Sequence, residues 1–189
     1  MRLPICLLIA LPFSLPGQTS GTCASPFEAP ATAAREIAMN LRAGDVTIVG
    51  TEAAVVRVSC TIGGSGSGDV KITFAANRLT VRGGPRNEVR FRIEVPRTTN
   101  LVVRCPAGDF MLSGITGDKD IELNAGDLTI EVGDPSAYRH VEASVLAGDL
   151  RASAFGVDKD GLFRSFDKSY PSGRYRLRAR LLAGDLTLK

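Results

Sequence analysis

Tryptophan is absent from the 189 residues, histidine occurs once and cysteine four times. A single imidazole cannot build a histidine-rich metal centre. No zinc-spaced Cys/His cluster, phosphate loop, dinucleotide fingerprint or Gly-x-Ser-x-Gly elbow is present, so no cofactor or metal is expected. An excess of one charge is also missing. The 23 Lys and Arg, less Arg2 in the leader, leave 22 against 20 Asp and Glu. That balance excludes a globally basic surface, and with it a nucleic-acid partner. Beyond residue 15 no apolar run is long enough to span a bilayer.

What is plentiful is glycine, at 20 residues, with 10 prolines, 44% hydrophobic and 23% charged residues. Those proportions are globular rather than disordered. Together with abundant Val, Leu, Thr and Ile they predict many short strands joined by turns, in one domain.

Residues 1–24 read as a secretory signal. Arg2 precedes the run Ile5-Cys6-Leu7-Leu8-Ile9-Ala10-Leu11, which Pro12 and Pro16 end. Cleavage is expected between Gly17 and Ala24, and export to periplasm, cell surface or medium follows. Cys23 raises lipid attachment, but Ser20-Gly21-Thr22 fits the attachment box poorly. Residues 25–34 are a linker and 35–189 the folded domain, with no transmembrane segment after cleavage. Export permits disulfides, and Cys60 with Cys105 is the expected pair, because each closes a strand-like run. Buried free thiols are the alternative.

The tripeptide Ala-Gly-Asp occurs five times, beginning at Ala43, Ala107, Ala125, Ala147 and Ala183. An apolar residue follows each one, and apolar/polar alternation flanks it on both sides. Alternation with period two is a strand signal, so each unit reads strand, corner, strand. The intervals of 64, 18, 22 and 36 lie near multiples of about twenty residues, as in stacked β coils. Gly44, Gly108, Gly126, Gly148 and Gly184 supply the sharp bends. Asp45, Asp109, Asp127, Asp149 and Asp185 accept from turn N–H groups, in preference to holding a cation. Residues 63–69 (Gly63-Gly64-Ser65-Gly66-Ser67-Gly68-Asp69) read as a hairpin loop; a calcium nonapeptide would need Asp one place earlier and repeated copies.

With its Ala-Gly-Asp-[apolar]-Thr-[apolar] units and the segment from Ser113 through Leu128, the chain resembles the bacterial putative-adhesin family of β-strand-repeat proteins, over about residues 35–189. The resemblance implies a solenoid or rack-like stack on an exported or envelope protein. It brings no catalytic residue. The expected fold is all-β, a short single-domain β-solenoid of stacked repeats, with a β-sandwich as alternative.

The chain departs from the simplest pattern at residues 155–173. Phe155, Phe163, Phe166 and Tyr170 cluster there beside Arg164 and Lys168. They form either a recognition loop or a cover for the end of the stack. Next come Arg174, Arg176, Arg178 and Arg180, alternating with Tyr175, Leu177, Ala179 and Leu181. As a strand this is a comb of four guanidinium groups, fit for an anionic envelope polymer or for acidic neighbouring coils. The acids are at hand, since residues 105–160 carry eleven acids against four bases.

Catalytic readings are weak. His140 has Asp134 and Ser144 near it in sequence only. Asp118, Asp120 and Asp127 sit where turn roles suffice, against a glycosidase pair. The expected function is a non-enzymatic envelope or adhesion-type interaction module. A polysaccharide-acting enzyme on a β-helix, or a self-assembling surface protein, is the alternative.

Overall fold

A computed structural model describes residues 17–31, 35–63, 69–85 and 89–189. The apolar leader through residue 16, and residues 64–68 of the Gly/Ser loop, lie outside the described residues.

The described residues contain eighteen strands and two single 3-10 turns, and no α-helix. In chain order the strands are β1 (Thr19–Thr22), β2 (Phe27–Pro30), β3 (Glu36–Asn40), β4 (Asp45–Thr51), β5 (Val55–Ile62), β6 (Val70–Ala75), β7 (Arg78–Gly83), β8 (Val89–Pro96) and β9 (Asn100–Ala107). They continue with β10 (Phe110–Ser113), β11 (Lys119–Ala125), β12 (Leu128–Ile130), β13 (Tyr138–Ala147), β14 (Leu150–Ala152), β15 (Val157–Lys159), β16 (Leu162–Ser169), β17 (Tyr175–Ala183) and β18 (Leu186–Leu188). They form two nine-stranded mixed sheets. The first runs β1-β6-β7-β3-β9-β11-β17-β13-β16, the second β15-β14-β18-β12-β10-β4-β8-β5-β2.

Each Ala-Gly-Asp joins a strand of the first sheet to one of the second: β3 to β4, β9 to β10, β11 to β12, β13 to β14 and β17 to β18. These coils stack in parallel, and β7 with β8 adds a sixth. The interior is therefore solenoid-like. Both ends are antiparallel and sandwich-like: β16 pairs β13, β15 pairs β14, β6 pairs β7 and β5 pairs β8.

The stack does not follow chain order. The last coil, β17–β18, lies between β11–β12 and β13–β14, and β7–β8 lies outside β3–β4. Successive coils share one alternation, so nothing in a single coil's pattern states which neighbour it takes.

Inward residues line up in files across the coils. The residue after each Ala-Gly-Asp belongs to one file, Val46, Phe110, Leu128, Leu186 and Leu150, all 2% exposed or less. Full burial of such a side chain contributes about 2 kcal/mol. Truncating one leaves a cavity between close-packed layers, so Leu128→Ala should cost about 2–5 kcal/mol.

The corners explain the glycines. Gly126 has φ +113, and a Cβ built there would stand 2.3 Å from the carbonyl oxygen of Gly108 in the next coil. Gly126 N–H in turn donates to Ala183 O at 3.0 Å, one rung of a ladder through all the corners. The aspartates act between coils rather than within their own turns: Asp149 N–H donates to Asp185 Oδ1 and Asp185 N–H to Asp127 Oδ1, each at 3.2 Å.

The expected Cys60–Cys105 pair is not formed. Cys60 is bonded to Cys23, with Cα atoms 5.4 Å apart. Cys105 faces inward from β9, in the middle of the first sheet, while Cys60 lies on β5 near the far edge of the second. Both ends of strand-like runs look alike in sequence; the sheet order separates them. Cys23 links β1 on the first sheet to β2 on the second, so the bond pins a clamp across that end of the stack. A thiol held in a disulfide carries no lipid.

A candidate contact surface on the outer face of the first sheet

The arginine comb sits on β17, flanked by β11 and β13. Registers place Asp120, Arg178 and Glu142 in one row and Glu122, Arg180 and Ser144 in the next. Arg178 Nε is 3.0 Å from Glu142 Oε2 and Arg180 3.6 Å from its other oxygen. Arg104 on β9 likewise meets Asp120 at 3.0 Å and Glu122 at 3.3 Å. The acidic middle thus neutralises half the comb. Such exposed pairs contribute about 0–1 kcal/mol each. Arg174 stacks on Tyr175, its guanidinium carbon 5.6 Å from the ring centre, and Arg176 is exposed.

Residues 155–173 cover the end of the stack. Phe155 packs on Phe166 at 5.6 Å and on Tyr170 at 6.1 Å between ring centres, and Phe166 is buried. Arg164 is half-buried, its guanidinium against Gly161 and its Nε without a hydrogen-bond partner among the described residues. Phe163 departs from this. It is 77% exposed, and its φ of +54 is a conformation that bulky residues avoid.

Phe163 also has neighbours. On β13, Leu146 lies between the Val145–Arg164 and Ala147–Leu162 pairs, hence opposite Phe163. On β17, Leu182 lies between Leu181 and Ala183, which pair Val145 and Ala147. Leu182, Leu146 and Phe163 therefore form an outward row across three adjacent strands, with Leu162 exposed beside its end. Among the described residues, only Met111 is a further large hydrophobic residue with comparable exposure, and it stands alone on the other sheet. The aromatic cluster points to Phe163 in the sequence; Leu146 and Leu182 are hidden because the alternation breaks into an apolar pair, Val145-Leu146 or Leu181-Leu182, only at the corner.

At the other end of the same strands lies an open groove of about 750 Å³, lined among others by Asn100, Asp118, Arg139, His140, Ser169 and Arg176. His140 Nδ1 is 3.1 Å from Ser169 Oγ and 3.8 Å from Asp167 Oδ1. One nitrogen faces both partners, which is not the relay of a catalytic triad. The sequence neighbours of His140 do other things. Asp134 accepts from Ser136 Oγ at 2.7 Å and, capping a 3-10 turn, from Ser136 N–H at 2.9 Å, which together lower its pKa, and Ser144 lies two rows away. The carboxylates are engaged too: Asp118 Oδ1 accepts from the Arg176 backbone N–H at 2.8 Å, and Asp120 and Glu142 are ion-paired.

Beneath this face lies a buried polar pair that the sequence pattern does not mark. Lys119 occupies a core file between Leu101 and Leu177 and is 1% exposed. Its amine donates to Tyr138 Oη and, at 3.2 Å, to Gly117 O; Tyr138 Oη donates to Val132 O at 3.2 Å. Burial lowers the lysine pKa to about 8 and raises that of the tyrosine to about 12. Burial likewise pushes the Cys105 thiol up to about 11. Among the described residues no group of three or more His, Cys, Asp or Glu could hold a metal, and no helix is long and apolar enough to cross a membrane.

The geometry defines an all-β stacked-coil protein with a polar face and one apolar row. No family model and no curated protein sequence matches the chain. Among solved structures it is similar to a putative cell adhesion protein from Clostridium sporogenes, with a TM-score of 0.51 and 11% identity, over 92% of this chain and 99% of that one. At that identity the likeness is one of fold.

Proposed function

We propose that the protein is an exported, non-enzymatic adhesion-type module that contacts a partner protein of the envelope through the row Leu182, Leu146 and Phe163. The observation that carries this reading is Phe163, held in solvent at an unfavourable backbone conformation with two leucines in register. A strained, exposed aromatic persists where something other than monomer stability keeps it. Apolar rows rimmed by polar residues are typical contact cores. The fold likeness to a protein named for cell adhesion lends support. Export is supported by the apolar leader together with the Cys23–Cys60 bond.

An anionic envelope polymer held by the whole comb has less support, because Arg178 and Arg180 are already paired. A glycosidase reading has less support for the same reason, since its candidate carboxylates are engaged. The test is co-sedimentation of the protein with envelope fragments, comparing wild type with Leu146→Ser/Phe163→Ser. The folded double variant should lose most binding. Equal binding by both would remove the row from the function.

A further inference from the structure

The arginines on β9, β13 and β17, in the middle of the first sheet, divide into two sets. Arg104, Arg178 and Arg180 each reach a carboxylate within 4 Å. Arg139 and Arg176 are exposed and reach none among the described residues. Their positions explain this: Arg176 stands opposite His140, and the nearest acid in its row, Asp118, is turned to its backbone. Both unpaired cations line the 750 Å³ groove.

Eleven of the fourteen residues around that groove are polar. Asp120 and Glu142 present acceptors, and Ser169 a hydroxyl. Asn100 Oδ1 accepts from Asp118 N–H at 2.9 Å, which leaves its amide nitrogen to donate. The size suits a small ligand rather than a macromolecular face. The geometry points to a binding site for a short acidic saccharide. Its carboxylate meets the forks of Arg139 and Arg176, and its ring hydroxyls meet the acceptors and donors around them. A lipid tail would meet only three apolar side chains there, those of Leu101, Val102 and Leu177. The site is separate from the apolar row and does not rest on it.

The chain has one histidine, and it lines the groove. Its imidazole proton signals are therefore an unambiguous reporter. The full chain is titrated with trigalacturonate, with neutral maltotriose and with acetate. Trigalacturonate should shift the His140 signals and bind at least about tenfold more tightly than either of the others. Arg139→Ser/Arg176→Ser should weaken it by about tenfold or more, while Arg90→Ser on the opposite sheet changes nothing. Should the double variant misfold, the wild-type shifts still decide. Absence of a shift up to about 10 mM trigalacturonate, or equal binding of maltotriose, overturns the site. Equal binding of acetate overturns its saccharide character.

Discussion

The Lys119 amine donates to the phenolic oxygen of Tyr138 inside the first sheet's core layer, where its file neighbours are Leu101 and Leu177. The charge is costly there, which is why the folded pKa of Lys119 falls to about 8 while the unfolded value stays near 10.5. Between those values the unfolded chain binds more protons than the folded one. Stability must then rise with pH. From pH 7 to pH 9 wild type should gain about 1 kcal/mol relative to Lys119→Met, read by urea unfolding. Above pH 9 the raised pKa values of Cys105 and Tyr138 act in the opposite sense. Parallel stability curves for wild type and variant between pH 7 and 9 would show that Lys119 does not titrate in this way.

The corners require glycine for two separate reasons, and two positions separate them. Gly126 has positive φ and a carbonyl 2.3 Å from its missing Cβ; Gly133 has φ +75 and nothing within 4 Å. Gly133→Ala should cost about 1 kcal/mol, the conformational part alone. Gly126→Ala should cost at least about 2 kcal/mol more, because two coils must part, and Gly126→Val more again. Equal melting temperatures for the two alanine variants would contradict the stacking of the corners.

Thiol chemistry distinguishes the observed disulfide from its alternative. In a chain beginning at Gly17, and without reduction, denaturation should expose one reactive thiol, that of Cys105. Reduction should add Cys23 and Cys60. Peptide mapping that recovers Cys60 joined to Cys105 would refute the clamp. Cys60→Ser should lower stability by about 2–4 kcal/mol.

The clamp also constrains processing. β1 begins at Thr19 and pairs four residues with β6, so cleavage late in the expected window would remove a strand and the Cys23 sulfur together. On the export proposed above, N-terminal sequencing of the mature protein should start no later than Thr19. A start at Ser25 would mean that neither belongs to the working molecule.

Much of this architecture is legible in five tripeptides. Gly and Asp beside an apolar residue fix corner and strand, because few residues tolerate φ +113 and an inward position demands an apolar side chain. The order of the coils is not legible, since each coil would satisfy any neighbour. This is also why the sequence does not separate a Cys60–Cys105 pair from the Cys23–Cys60 bond. Lys119 was hidden in Asp118-Lys119-Asp120, which reads as a polar corner although its middle residue points inward. The comb was half legible. Alternation showed that it faces outward, but only the register with Glu142 shows that Arg178 and Arg180 are engaged. The apolar row is least visible, because it joins β13, β16 and β17 through pairings of opposite direction.

Apolar contact and charge contact respond differently to salt, which allows the central claim to be isolated. Exposed ion pairs weaken as the Debye length falls to a few ångströms, whereas burial of leucine and phenylalanine does not. The decisive measurement is binding of the protein to envelope fragments in about 0.5 M salt, for wild type and for a folded Phe163→Ser/Leu182→Ser variant. The account predicts that wild-type binding persists at that salt and that the variant's is lost. Binding abolished by salt alone, or retained in full by the variant, would contradict it.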